Sequence, residues 1–222
     1  MKFYAINGSP RKNNNTATLL RSALDGVSSA GGAQAETEII HLYDLDYQPC
    51  VSCFACKRLG GTSYGKCIVN DSLKPVLEKL AEADGIIFGS PVYFSNLSAK
   101  LRGFLERFMF QYLVYDRNYS SLAPKRMPTA FIYTMNVSES VMREVGIDAG
   151  LGIMEFYIEK MLTRPQVLHA FNTYQFDDYS KYKVEAFSET EKAAYRDEHF
   201  PQDREAAFRL GAAMAASAHK NL

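Results

Sequence analysis

Short apolar runs alternate with segments of helical periodicity along almost the whole chain, and this alternation limits the fold more than any other feature. The run Gly85–Gly89 (GIIFG) is apolar without interruption, as expected of a strand covered on both faces rather than one. Lys2–Asn7 (KFYAIN), Glu36–Tyr43 (ETEIIHLY), Pro128–Met135 (PTAFIYTM) and Val167–Asn172 (VLHAFN) read as four more strands. Helices are expected from Thr16 to Val27, from a cap at Asp71 or Ser72 to about Ala83, over residues 98–115, near 139–162 and near 202–220. In the second of these, Leu73, Val76, Leu77 and Leu80 are spaced for one buried face.

Strands alternating with helices build βαβ units, hence a mainly parallel sheet with helices on both faces. Five such strands suit an α/β, flavodoxin-like, doubly wound parallel sheet in the order 2-1-3-4-5. One domain over residues 1–222 is expected, with a cysteine-containing insertion at 46–70 and a C-terminal excursion plus helix at 174–222. The aromatic residues Tyr174, Phe176, Tyr179, Tyr182 and Phe187 suggest that the excursion packs down on the surface.

Charge excludes one class of function. Lys+Arg and Asp+Glu are equal at 25 each, so no net positive field points to a nucleic-acid partner. No run of apolar residues is long enough to span a membrane, and the N-terminus lacks the basic-then-apolar pattern of a secretory signal. A cytoplasmic, reducing compartment is the expectation.

The stretch NGSPRKNNNT, residues 7–16, lies where the first strand should hand over to the first helix. Ligands of open parallel sheets bind at that edge. Gly8 permits an unusual backbone angle, Ser9, Asn15 and Thr16 offer side-chain donors, and Arg11 and Lys12 add charge. The free N–H groups of a helix start complete an anion site. Asparagine tolerates left-handed backbone, so the Asn run can stand in for a glycine hinge. A plain polar turn capped by Thr16 is the competing reading. The stretch is neither G-x-G-x-x-G nor a Walker A loop. Gly60–Cys67 (GGTSYGKC) only approximates the latter, because Cys replaces Ser/Thr and no strand precedes it.

A second turn, GSPVYFSN at residues 89–96, ends the third strand at the same sheet edge and carries two aromatics. A phosphate loop beside an aromatic turn suits a ligand with a phosphate tail and a flat ring, which favours flavin mononucleotide (FMN). No H-E-x-x-H or G-x-S-x-G occurs. His41, His169, His199 and His219 are dispersed and read as structural, so no catalytic residue is named.

All four cysteines fall in one short window as Cys50-x2-Cys53-x2-Cys56-x10-Cys67. The C-x2-C-x2-C core matches the spacing of iron–sulfur ligands. Structural zinc usually takes two separated C-x2-C knuckles, and free thiols are the third alternative. A redox-active Cys53/Cys56 pair also has to be weighed, although this C-x-x-C does not open a thioredoxin-like helix.

GSPRKNNNT and ADGIIFGSPVYFSNLSAKLRGFLER together resemble the two fingerprints of the NADPH-dependent FMN reductase branch of the flavodoxin-like superfamily. The cysteine window resembles the compact motif of iron–sulfur flavoproteins in that branch, with a wider last spacing and no following proline. The resemblance covers residues 1–110 and is one of fold only beyond 135. It implies that Ser9, Arg11, Asn15, Thr16 and Ala17 surround the FMN phosphate. By the same resemblance Pro91, Val92, Tyr93 and Phe94 line the ring, while Thr134, Met135 and Asn136, with Ser138 behind them, close the third side. It further implies an oxidoreductase moving electrons from NAD(P)H to a small-molecule acceptor such as a quinone or flavin. With Cys50, Cys53, Cys56 and Cys67 holding a [4Fe–4S] cluster, it would instead be an electron-transfer protein fed by a ferredoxin-like donor. A non-enzymatic flavin carrier is the remaining alternative, against which the neutral charge argues. The helix Phe104–Tyr115 (FLERFMFQYLVY) is apolar on nearly every side, which predicts a homodimer or homotetramer sharing it.

Overall fold

A computed structural model describes residues 1–219; positions 220–222, where the last expected helix ends, lie outside the described residues. Strand β1 (Lys2–Asn7) pairs in parallel with β2 (Glu36–His41) on one side and β3 (Gly85–Tyr93) on the other. Strands β5 (Thr129–Thr134) and β6 (Gln166–Ala170) continue the sheet beyond β3, in parallel. The path β2-β1-β3-β5-β6 is the expected flavodoxin-like order once β4 (Asn96–Leu97) is set aside as a short antiparallel return on β3.

Alternate residues of each central strand serve opposite cores, because successive side chains point to opposite faces. Tyr4, Ile6, Ile86, Phe88, Phe131 and Tyr133 belong to one cluster, with Phe104 and Phe108 of α3 (Ala99–Phe110). Phe3, Ala5, Ile87, Ala130 and Ile132 belong to the other, with Leu19 and Leu20 of α1 (Asn15–Gly31) and Met214 of α6 (Glu189–His219). Both faces being covered explains why GIIFG has no polar position. Helix α2 (Lys74–Ala81) buries Val76, Leu77 and Leu80 as the spacing predicts.

Several boundaries differ from the sequence reading. The expected helix near 139–162 is two helices, α4 (Glu139–Glu144) and α5 (Ile147–Met161), broken where Gly146 adopts φ +72°. The last helix begins at Glu189, not near 202, and carries Pro201 inside it. Proline is a poor marker of a helix end when tertiary packing holds the flanking turns. Helix α3 ends at Phe110, so the apolar run to Tyr115 is helical only in part. One side packs on the sheet through Phe104 and Phe108, while Pro49 and Phe54 of the cysteine insertion cover another at Gly103 and Phe110. No helix among the described residues is long and apolar enough to cross a membrane.

Helices α1 and α6 approach so closely that glycines are required at the crossing. A Cβ on Gly26 would lie 1.9 Å from the Phe208 carbonyl oxygen, and one on Gly211 1.8 Å from that of Ala23.

Earlier along α6, burial pushes the Asp203 carboxyl up to about 6, with nearby His199 working the other way. A raised acid favours the fold in its protonated form. That contribution is therefore complete below the ordinary value of 3.8 and is lost as pH rises through about 6. Asp203→Asn is expected to raise Tm at pH 8, by about 2–4 °C per kcal/mol recovered, and to do far less at pH 4. Calorimetry at the two pH values checks this; equal shifts would refute it.

Candidate functional site

Three loops leave the carboxyl ends of β1, β3 and β5 and are laced together by buried polar groups. The Gly8 N–H donates to the Gly89 carbonyl at 2.8 Å, and Ser98 Oγ donates to the Gly8 carbonyl at 2.7 Å. Ser98 N–H in turn donates to Ser90 Oγ at 3.0 Å, and Ser98 Oγ caps α3 by accepting from Leu101 N–H. Thr16 Oγ1 and Thr134 Oγ1 share a hydrogen bond of 2.7 Å, tying α1 to the end of β5.

Gly8 proves necessary for a reason other than the one expected. Its φ is not left-handed, but a Cβ there would lie 2.7 Å from Leu101 Cβ and 3.0 Å from the Gly89 oxygen. Close approach of two loops, rather than an unusual angle, demands glycine. The Asn run is likewise not a left-handed hinge, since none of its members has positive φ. Asn14, not Thr16, is the N-cap, and its side chain makes no capping bond. No acidic residue stands in the first turn of α1. The first turn's N–H groups are thus left without a side-chain cap, an arrangement that favours an anion.

These loops enclose a narrow cleft that opens to solvent. Ser9, Arg11, Asn15 and Thr16 line one end; Pro91, Val92 and Tyr93 line a wall; Thr134, Met135 and Asn136 line a third side. Ala17 is fully buried inside α1 and does not line the cleft, nor does Ser138, which caps α4. Phe94 is fully exposed, outside the lining. Its position follows from the turn: Phe94 (φ +48°) and Ser95 (φ +60°) are the two central residues between β3 and β4. A two-residue hairpin with positive φ at both positions is of type I′, and it carries Phe94 to the tip. Non-glycine residues held there cost of order 1–3 kcal/mol each.

The fourth side comes from the start of the excursion. Asn14, Thr173 and Gln175 also line the cleft. Arg11 Nη1 donates to the Gln175 carbonyl at 2.6 Å, and Asn15 Nδ2 donates to that of Tyr174 at 2.9 Å. Asn136 Nδ2 meets Gln175 Oε1 at 3.3 Å. Lys192, only 1% exposed, fastens the segment by donating to the Asn136 carbonyl and to Asn172 Oδ1, each at 2.7 Å. Burial lowers its pKa. The signal that could have found this wall was positional: residues 173–175 follow β6 at the same carboxyl edge.

A second concave site is built by the cysteine insertion against the end of α3. Cys50, Cys53, Cys56 and Cys67 all line one small pocket, together with Arg107, Phe110 and Gln111. Ser52 (φ +52°) and Phe54 (φ +57°) are both left-handed, which curls the chain between the first three cysteines. All four are free thiols, and burial raises the pKa of Cys56, with Lys57 opposing it. Lys57 donates to the Phe110 and Leu113 carbonyls, capping the end of α3. The GGTSYGKC stretch forms turns that line no part of the main cleft.

Among the described residues, no group of three or more His, Cys, Asp or Glu is arranged to hold a metal ion. Structural zinc gathers its ligands around a single centre, usually from two separated C-x2-C knuckles, and these cysteines are not spaced so. A [4Fe–4S] cluster takes one thiolate at each of four irons, so its ligands stand further apart. Four thiols in one pocket, three of them at C-x2-C-x2-C spacing, are in kind the donor set of a cluster.

A family model for NADPH-dependent FMN reductase matches residues 1–141. An iron–sulfur flavoprotein of Methanocaldococcus jannaschii is 44% identical over 107 residues, covering 48% of this chain and 51% of the relative. The chain thus spans about half the length of the curated relatives it matches. Among solved structures, an NAD(P)H:quinone oxidoreductase from Methanothermobacter marburgensis superposes with a TM-score of 0.67 at 16% identity, over 96% of each chain. An FMN-dependent NADH-azoreductase from Bacillus anthracis, in complex with FMN, superposes at 0.63 and 13% identity, over 95% of this chain and 100% of that one. These likenesses carry the flavodoxin-like fold, while the matched segment holds the first loop, the cysteine window and the aromatic turn. The chain belongs to the NADPH-dependent FMN reductase family.

Proposed function

We propose that the protein is an FMN-dependent oxidoreductase that moves electrons from NAD(P)H to a small acceptor such as a quinone or flavin. Residues 1–222 act in this reading as one FMN-binding domain in a reducing cytoplasm, where its four free thiols persist. The carrying observation is the cleft itself: three strand-end loops converge, with an uncapped helix start and Arg11 at one end and Pro91, Val92 and Tyr93 beside it.

In this reading the phosphate end is held by Ser9, Arg11, Asn15 and Thr16, with the backbone N–H of Ala17 in the first turn of α1. Arg11 and Asn15 exchange their carbonyl partners on the excursion for phosphate oxygens, a favourable trade because charge-assisted bonds are the stronger. Pro91, Val92 and Tyr93 support the ring, and Phe94 borders the cleft from the hairpin tip. Thr134, Met135 and Asn136 face the ring's far side, and Thr173 and Gln175 exclude water from it. Bound there, FMN supplies hydride acceptance and the release of electrons one or two at a time. The chain supplies position and a dry wall; it needs no acid or base of its own.

The cysteine pocket favours an iron–sulfur form of this reading. Cys50, Cys53, Cys56 and Cys67 would hold a [4Fe–4S] cluster, which supplies one-electron transfer and admits a ferredoxin-like donor in place of NAD(P)H. An anaerobic visible spectrum of the purified protein with added FMN tests both parts. The two-band spectrum of oxidised flavin, bleached by NADPH, is expected, with a broad underlying absorbance matched by iron and sulfide. Protein that takes up no FMN would sink the first part; flavin without iron would sink the second.

A further inference from the structure

Among the described residues, two buried side-chain nitrogens have no hydrogen-bond partner: Arg107 Nε and Gln111 Nε2. Both residues line the cysteine pocket. Gln111, the C-cap of α3, stands four positions after Arg107 and keeps helical backbone angles, hence both lie on one face. Buried donors are almost always satisfied, so two orphans at one pocket mark a missing acceptor there.

The rest of each side chain is firmly held. Arg107 is 2% exposed. Its Nη1 donates to Asp71 Oδ2 and to the Gln48 carbonyl at 3.3 Å, and its Nη2 donates to the Val69 carbonyl at 3.3 Å. Of the five N–H donors two remain, one on Nη2 and the one on Nε, and Nε is the nitrogen with no partner at all. Gln111 Oε1 accepts from the Cys67 N–H at 3.1 Å. Only the amide oxygen can meet an N–H, so the orientation of the amide is settled and Nε2 is the end left over.

The pocket contains little that could accept. Apart from the thiols its walls are Val51, Phe54, Ile68, Val69 and Phe110, whose side chains accept nothing. Sulfur is the acceptor the chemistry of the pocket offers. Four thiolates around iron carry net negative charge, which a buried guanidinium complements.

We propose that Arg107 Nε–H and Gln111 Nε2–H donate to sulfur atoms of a cluster held by Cys50, Cys53, Cys56 and Cys67, and so raise its reduction potential. This rests on the iron–sulfur part of the proposed function. One-electron reduction adds a negative charge that the sulfurs share, so a fixed donor stabilises the reduced form more than the oxidised one. The same two side chains sense the fold of the insertion, because Arg107 grips it at Gln48 and Val69 while Gln111 grips it at Cys67.

The test is a dithionite redox titration of cluster-reconstituted protein, followed by electron paramagnetic resonance, on wild type, Gln111→Leu and Gln111→Glu. The Glu variant keeps an oxygen for the Cys67 N–H, so it separates loss of the donor from loss of the backbone contact. Iron, sulfide and FMN content are measured on each. Equal iron in all three is expected, with the Leu variant about tenfold harder to reduce, a downward shift of about 59 mV, and the Glu variant lower still. Wild-type potentials in both variants at full iron content would overturn the proposal. Loss of iron from both with FMN retained would also overturn it, in favour of a structural role through Cys67. Wild-type protein that takes up no iron would bring down the cluster reading, and this proposal with it.

Discussion

Arg107→Met is expected to lower Tm by about 6–20 °C, from a loss of about 3–5 kcal/mol when one member of a buried ion pair is removed. The guanidinium is buried, and its carboxylate partner Asp71 has 19% of its side chain exposed. Burial opposes the Arg107 charge, but Asp71 and the Cys67 thiol beside it together raise its pKa. Methionine leaves Asp71 without its cation and leaves the Gln48 and Val69 carbonyls without their donor. The effect reaches function through geometry, because Gln48 and Val69 to Asp71 bracket the cysteine insertion. Releasing both ends frees all four thiols from their common pocket. The double variant Arg107→Met/Asp71→Leu is expected to recover much of the loss, since an apolar pair of similar volume often replaces a buried ion pair at little cost. Thermal melts of the single and double variants check this. A double variant as unstable as the single would show that the lost carbonyl bonds, not the stranded carboxylate, dominate.

Gly211→Ala is expected to destabilise by about 2 kcal/mol or more, against a helix-propensity gain of about 1 kcal/mol that would ordinarily favour it. The new Cβ would sit 1.8 Å from the Ala23 carbonyl oxygen, and backbone cannot rotate aside as a side chain can. Helices α1 and α6 must separate, opening the second core and shifting the start of α1, which lines one end of the cleft. Gly152→Ala in α5 is the contrasting case. Nothing lies within 4 Å of its Cβ position, so a gain of about 0.4–1 kcal/mol is expected. Urea denaturation of the two variants measures the difference, and a stabilising Gly211→Ala would contradict the close crossing.

Much of the cleft was legible in the chain because its signals are local. A strand buried on both faces must be apolar throughout, as GIIFG is, and a strand-to-helix loop with Ser, Arg and Thr can be read as an anion site without knowing its neighbours. The turn GSPVYF was legible as a wall, but the fate of its second aromatic was not. Whether Phe94 faces the cleft depends on backbone angles at two residues, and those follow from the pairing of Asn96 and Leu97 with β3. Gly8 illustrates the same limit: the residue was singled out correctly, while its reason, contact with Leu101 and Gly89, lies far along the chain.

By itself, then, the sequence determined the parallel α/β order, the edge of the sheet that carries the cleft, most of the loop residues around it and the cysteine window. These follow from hydrophobic period and from chemistry packed into short stretches. Tertiary structure alone decided that Tyr174 and Gln175 close the cleft over Arg11 and Asn15. It alone decided that the cysteine insertion packs on one side of α3, and that Arg107 and Gln111, each with an unpartnered nitrogen, line the thiol pocket. Each of these depends on groups tens of residues apart being desolvated together, and no local pattern encodes which buried donor will find a partner.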